Sequence, residues 1–215
     1  MVVRELGIQP YVPIWEKMQK ITDIRDEHFD DELWILQHPP IFTLGRHSDE
    51  SHILQRGNIP IQKIDRGGQV TYHGPGQIVV YCLLDLKRLK LGVRQVVTAM
   101  EQAVIDFLSI YQVKAFAKKD APGVYTQRAQ GTEQGKISAL GLRVRKGKCF
   151  HGLSVNIDMN LKPFQFINPC GYANLKVVQL NQYVKHVSMQ KCEQQLVSAL
   201  ISKLSLTEKD LSKEA

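Results

Sequence analysis

The run Ile78–Leu84, IVVYCLL, is apolar on both of its strand faces. Successive side chains of a strand point to opposite sides, so this segment must be covered from above and below and belongs at the centre of a sheet. Shorter β-rich runs bounded by Gly, Pro and Asn supply its neighbours: Leu33–Gln37, Ile41–Leu44, Gln69–Tyr72, Ile137–Val144 and Cys149–Ile157. Arg145–Lys148, RKGK, lies between the last two and reads as a basic hairpin turn. The helical period appears elsewhere. Tyr11, Ile14, Trp15, Met18 and Ile21 share one face, with Pro10 and Pro13 where a first turn tolerates proline. A longer stripe runs from Val93 through Val96, Val97, Met100, Val104, Phe107 and Leu108 to Tyr111, and another from Met189 to Leu204. Helices separated by blocks of strands predict an α+β fold, a mixed or antiparallel sheet flanked by helices.

A chain of 215 residues without linker, repeat or low-complexity segment is expected to form one domain over residues 1–205, with a frayed polar tail at 206–215. The start has no basic region followed by an apolar one, and no run approaches the roughly 20 apolar residues of a membrane span, so a soluble, cytoplasmic protein is expected. Four cysteines without a C-x-x-C pair write neither a zinc ribbon nor a disulfide framework. The net charge of +7 favours an acidic partner. Nucleic acid is one such partner, but the basic clusters Lys87–Lys90, Lys114–Lys119 and Arg143–Lys148 have little aromatic interleaving, which counts against single-strand binding.

Cys82 and Cys192 fall on apolar stripes and read as small buried hydrophobes, while Cys149 is open to either reading. Cys170 differs. Asn168-Pro169-Cys170-Gly171 is a turn sequence that displays its side chain on a loop. A nucleophilic cysteine needs its thiolate, and therefore a nearby cation or base. Lys136, after Gly135, is one candidate, although most strand-end lysines are simply solvated. His73 and His151, each followed by glycine, are the others, while His28, His38, His47, His52 and His186 have only polar or turn contexts.

Glycine is densest in Arg66-Gly67-Gly68-Gln69-Val70-Thr71-Tyr72-His73-Gly74-Pro75-Gly76-Gln77, two glycine turns joined by a short strand. The segment matches neither a Walker loop nor G-x-G-x-x-G, so no phosphate cradle is written. It reads as a set of tight turns or as a cleft wall shaped to a ligand.

RGGQVTYHGPGQ (Arg66–Gln77), GKISALG (Gly135–Gly141), HGLSVN (His151–Asn156) and INPCGY (Ile167–Tyr172), with HPPIFTLG (His38–Gly45) before them, resemble in content and order the lipoate-biosynthetic octanoyltransferase family. The resemblance covers about residues 30–180. It implies the mixed-sheet fold of the biotin and lipoate protein ligases, and transfer of an octanoyl group from acyl carrier protein to a lysine of lipoyl domains, in 2-oxoacid dehydrogenases or the glycine cleavage H protein. Carried over residue by residue, it makes Cys170 the acyl-accepting nucleophile and Lys136 its partner. Substrate contacts fall on Arg66, Gly67, Gly68, Gln69, Val70, Thr71, Tyr72 and His73, on Ala139, Leu140 and Gly141, and on Gly152, Leu153 and Ser154. Ser154 stands where many relatives carry alanine. Thioester to amide runs downhill, so neither metal nor cofactor is expected, and the protein is expected to act as a monomer.

Three other readings remain distinguishable. An ATP-dependent lipoate or biotin ligase on the same fold would not need Cys170. A Cys-His hydrolase would depend equally on His73 or His151. A basic nucleic-acid-binding domain would lose affinity steeply with salt.

Overall fold

The computed structural model describes residues 1–26, 28–127 and 131–204; the expected frayed tail lies outside the described residues. In chain order the elements are β1 (Val2–Ile8), α1 (Tyr11–Ile24), β2 (Glu32–Gln37), β3 (Ile41–Leu44), β4 (Ile61–Lys63), β5 (Val70–His73), β6 (Gln77–Asp85), α2 (Leu86–Leu89), α3 (Val93–Ile110), β7 (Ala115–Ala117), β8 (Gly123–Gln127), β9 (Glu133–Arg145), β10 (Lys148–Asn156) and α4 (Met189–Leu204). A seven-stranded sheet runs β1-β2-β6-β10-β9-β8-β7, and a three-stranded sheet runs β4-β3-β5. The large sheet is mixed, since β1 pairs parallel with β2 and the other pairings are antiparallel.

β6 lies inside the large sheet, and all nine of its residues are buried. Ile78, Val80, Cys82 and Leu84 face one core, which they share with the apolar stripes of α3 and α4. The alternate residues Val79, Tyr81 and Leu83 face a second core with Tyr11, Ile14 and Met18 of α1. One helix pair and one helix thus cover the two sides of the same strand, as its unbroken apolar run demands. A third core lies under the small sheet, around Phe42, Tyr72 and Phe164.

The Arg145–Lys148 turn is a two-residue hairpin loop between β9 and β10, in which Lys146 and Gly147 both take positive φ, 52° and 78°. That is the type I′ pattern, whose twist matches the paired strands. The patterning did not anticipate β1, β4, β7 or β8. β1 is largely exposed, and the other three are only three to five residues long, too short for alternation to register.

Midway along β10 the alternation breaks. His151 has φ 62°, so its ring lies on the same side as that of Phe150, stacked on it at a centroid distance of 5.0 Å. The next residue must be glycine: a Cβ on Gly152 would lie 2.1 Å from the Val80 carbonyl oxygen.

Candidate active site

Cys170 is the middle residue of the short 3-10 turn Pro169–Gly171 and holds a left-handed backbone, φ 58° and ψ 17°. A non-glycine residue adopts that conformation only when its surroundings impose it. Here Asn168 N–H donates to His52 O at 2.7 Å, Gly171 N–H to Asn168 O at 3.0 Å and Tyr172 N–H to Pro169 O at 3.1 Å. Cys170 alone among the four cysteines is partly exposed. Burial pushes the thiol of Cys149 up to about 11 and those of Cys82 and Cys192 up as well, which leaves them as packing groups.

Lys136 belongs to β9 and is only 4% exposed, so it is not a solvated strand-end lysine. Its backbone is fixed on one side by Tyr125 of β8 and on the other by the segment after Cys170: Lys136 N–H donates to Lys176 O at 2.8 Å, and Val178 N–H to Lys136 O at 3.0 Å. The side chain donates to Pro122 O at 2.9 Å and to Cys170 Sγ at 3.2 Å, with the ammonium 5.1 Å from the centre of the Tyr125 ring. An ammonium so placed stabilises a thiolate by charge and by hydrogen bond.

Cys170 stands where two hollows meet. The inner one, about 50 Å³, is lined by Arg66, Gly68, Gln69, Val70, Thr71 and His73, by Ala139, Leu140 and Gly141, and by Gly152, Leu153 and Ser154. Tyr11, Val79, Tyr81 and His151 complete its wall. The outer groove, about 290 Å³, runs past Gly67, Val93, Val97, Pro122, Lys136, Leu142 and Tyr172. The structure therefore gathers almost every expected site residue around one cysteine. Tyr72 faces the other way, its ring packed against Phe42 and Phe164 at centroid distances of 5.6 and 5.4 Å.

Arg66 is buried, and its guanidinium is committed to protein acceptors, donating to Thr43 O and Thr43 Oγ1, each at 2.9 Å, and to Gly67 O at 2.9 Å. It ties β3 to the glycine segment. Its charge is felt at Tyr11, Cys170 and Tyr81, against burial that lowers its pKa.

The two candidate histidines are engaged elsewhere. His73 Nδ1 contacts Gln77 Oε1 at 2.7 Å, and burial lowers its pKa to about 3. His151 Nε2 contacts Asp65 Oδ1 at 3.0 Å, and Trp15 Nε1 donates to the same oxygen at 2.8 Å. Partial burial of Asp65 opposes its ionisation, yet hydrogen bonds from His151, Trp15 and Gln19 hold its carboxyl down at about 2. His38 has more than a turn context. It is fully buried, donating from Nδ1 to Gln9 O at 2.6 Å and accepting at Nε2 from the Tyr81 hydroxyl at 2.7 Å.

Sequence patterning missed Tyr11 and Tyr81 as cavity residues because both also satisfy a core stripe. It also missed Glu101, a carboxylate on the buried side of α3, 4% exposed, to whose Oε1 the Gly123 N–H donates at 3.0 Å.

The fold places the molecule in the class of catalytic domains built like the lipoate and biotin protein ligases. Solved structures similar to it include a bi-partite lipoate protein ligase from Thermoplasma acidophilum (TM-score 0.73, 16% identity, covering 98% of this chain and 88% of that one) and a lipoate-protein ligase A bound with ATP (TM-score 0.72, 16% identity, 99% and 92%). The biotin protein ligase from Aquifex aeolicus is more distant (TM-score 0.55, 11% identity, 95% and 69%). The chain belongs to the family of the lipoyl protein ligase A/B catalytic domain, whose model matches residues 11–201. Its curated relatives include octanoyltransferases from Shewanella halifaxensis, 52% identical over 204 residues (95% of this chain, 90% of the relative), and Shewanella frigidimarina, 59% identical over 177 residues (82% and 79%). It is an acyltransferase of that type. Among the described residues, no helix is long and apolar enough to cross a membrane.

Proposed function

We propose that the protein transfers an octanoyl group from octanoyl-acyl carrier protein to the lysine amine of lipoyl domains, through a thioester on Cys170. The observation that carries this reading is the 3.2 Å contact between Lys136 Nζ and Cys170 Sγ at the junction of an inner cavity and an outer groove. The thiolate, paired with the ammonium, attacks the donor's thioester carbon. The carbon–sulfur bond to the carrier breaks, the carrier departs as a thiol with a proton from the Lys136 ammonium, which is left as a neutral amine, and the acyl group stays on Cys170. The acceptor amine, entering by the outer groove, attacks this thioester. The bond to Cys170 breaks, Cys170 leaves as its thiolate, an amide forms, and the neutral Lys136 amine left by the first step takes the acceptor amine's proton, directly or through a water, and becomes an ammonium again.

The apolar wall of the inner cavity, Val79, Leu140 and Leu153, suits the near end of an alkyl chain; at about 50 Å³ the hollow must widen to take all eight carbons, and each methylene it buries contributes about 0.8 kcal/mol to selectivity. The net charge of +7 suits acidic carrier and acceptor domains. One solved neighbour is described with its E2 lipoyl domain, which supports an acceptor of this kind.

The ATP-dependent ligase reading keeps some support, because a structural neighbour is a ligase bound with ATP. Intact-protein mass after mixing with octanoyl-acyl carrier protein, without ATP, separates the two. A single hydroxylamine-labile octanoyl adduct on the wild type, absent from Cys170→Ser and discharged by a lipoyl domain, is the expected result. Octanoylation that needs ATP and free octanoate, and survives Cys170→Ser, would establish the ligase instead.

A further inference from the structure

The carbonyl that holds Lys136 and the N–H that reaches Glu101 belong to one peptide unit. Pro122 C=O accepts from Lys136 Nζ at 2.9 Å, and Gly123 N–H donates to Glu101 Oε1 at 3.0 Å. The two groups of a trans peptide point in opposite directions, so a continuous line runs from the Glu101 carboxylate through the peptide and the ammonium to Cys170 Sγ. Gly123 makes the line possible. It has φ +137°, and a Cβ there would lie 2.9 Å from both Lys136 Cε and Nζ.

We infer that Glu101 is a positioning residue that acts on Cys170 through the Pro122–Gly123 peptide, by polarising it and so holding the Lys136 side chain aimed at Cys170 Sγ. The inference rests on the Cys170–Lys136 reading above and extends it to a group on a different element, α3. Hydrogen bonds in series polarise one another, most strongly away from water, and Glu101 and Gly123 are both buried. The arrangement also explains why the carboxylate does not pair with the lysine directly. A direct ion pair would compete with the thiolate for the ammonium, whereas an intervening peptide leaves a lysine proton for sulfur. Burial raises the pKa of Glu101, opposed by Gly123 N–H, by Arg94 on the same helix and by Lys136 on β9. Among the described residues, the charged and titratable groups around Cys170 are Lys136, Arg66 and Tyr125, with Tyr11, His73, Tyr81 and His151 in the wall of the inner cavity and Asp120 and Tyr172 along the outer groove.

The relay and a purely structural role predict different behaviour of the Cys170 thiol. Removing the Glu101 charge takes away direct repulsion of the thiolate, which by itself makes the thiol more acidic. Loosening the ammonium does the opposite, and only when Lys136 is present. The test is the pH dependence of Cys170 alkylation by iodoacetamide, in the full-length protein, located by peptide mass and blanked by Cys170→Ser. It is measured in wild type, Glu101→Gln, Lys136→Met and the double variant, with Tm confirming that each is folded. Glutamine keeps an acceptor for Gly123 N–H. The expected result is an upward shift of the alkylation midpoint in Glu101→Gln, about threefold slower alkylation near neutral pH, and no upward shift when Glu101→Gln is added to Lys136→Met. No shift, a downward shift, or an equal upward shift in both backgrounds would overturn the relay. Because no acyl donor is used, this outcome is independent of whether Cys170 accepts an octanoyl group.

Discussion

Lys136 Nζ meets Cys170 Sγ at 3.2 Å across 34 residues of sequence. The strand that carries the lysine is hydrogen-bonded to the segment that follows the cysteine, through Lys136 N–H to Lys176 O and Val178 N–H to Lys136 O. Backbone pairing therefore fixes the distance between the two side chains. The contact does not rest on a long, flexible lysine alone.

That geometry is set for an ammonium, which reaches Pro122 O and Cys170 Sγ from a single nitrogen. Lys136→Met is expected to slow acyl-enzyme formation about 100-fold or more, and Lys136→Arg to do little better, since a planar guanidinium presents its donors in a different arrangement. Rapid quenching followed by intact mass reads both rates. Recovery of most of the activity by arginine would show that charge suffices without position.

Gly123 and Gly152 should separate chemistry from folding. Gly123→Ala places a methyl 2.9 Å from Lys136 Nζ at φ +137°, so it should lower acylation at least tenfold along with a stability loss of about 1–3 kcal/mol. Gly152→Ala drives a methyl to 2.1 Å from Val80 O, and the expected loss is in stability first. Thermal unfolding beside acylation rate distinguishes them.

Acid should unfold the protein early. Burial, partly offset by the Gln9 hydrogen bond, holds His38 down at about 4; burial and the neighbouring His38 charge hold His73 at about 3, against 6.5 for either group in the open chain. The folded state binds fewer protons than the unfolded state, so this stability is full above pH 6.5 and is lost as pH falls toward 4 for His38 and 3 for His73. The slope is about 1.4 kcal/mol per pH unit for each group. Urea midpoints between pH 7 and 4.5 should fall steeply, and His73→Gln should remove about one proton from the slope. A flat profile would show that these rings are solvated.

If the basic surface steers an acidic carrier, acylation by octanoyl-acyl carrier protein should slow several-fold between about 50 and 300 mM salt. Acylation by a small octanoyl thioester should not.

Ala139 lines both the inner cavity and a smaller hollow beside Lys136. Ala139→Leu is expected to disfavour octanoyl relative to butanoyl donors by tenfold or more, read as the ratio of adducts from a mixture of the two. An unchanged ratio would put the chain elsewhere.

Much of this was legible in the chain itself. The both-sided apolar run of β6 required a covered central strand, the α3 and α4 stripes required helices, and Arg145–Lys148 required a hairpin, because each is a local pattern with one inexpensive solution. The turn chemistry of Asn168-Pro169-Cys170-Gly171 set Cys170 apart from the buried cysteines, and ordered motifs supplied Lys136 as its partner. Periodicity could not single out Tyr11 or Tyr81, since a residue on a buried stripe looks the same whether it packs or faces a cavity, nor Glu101, whose buried partner is the backbone N–H of Gly123 on a distant segment. Nor could it separate Tyr72 from its neighbours, because which face of β5 looks into the cavity depends on how the two sheets meet. The sequence by itself determined the central strands, the three long helices and the turn that sets Cys170 apart from the buried cysteines. Only the tertiary structure decided that a carboxylate on α3, a peptide before β8, an ammonium on β9 and a thiol on a left-handed turn lie in one line, because each of those contacts is made between segments that the chain brings together only on folding.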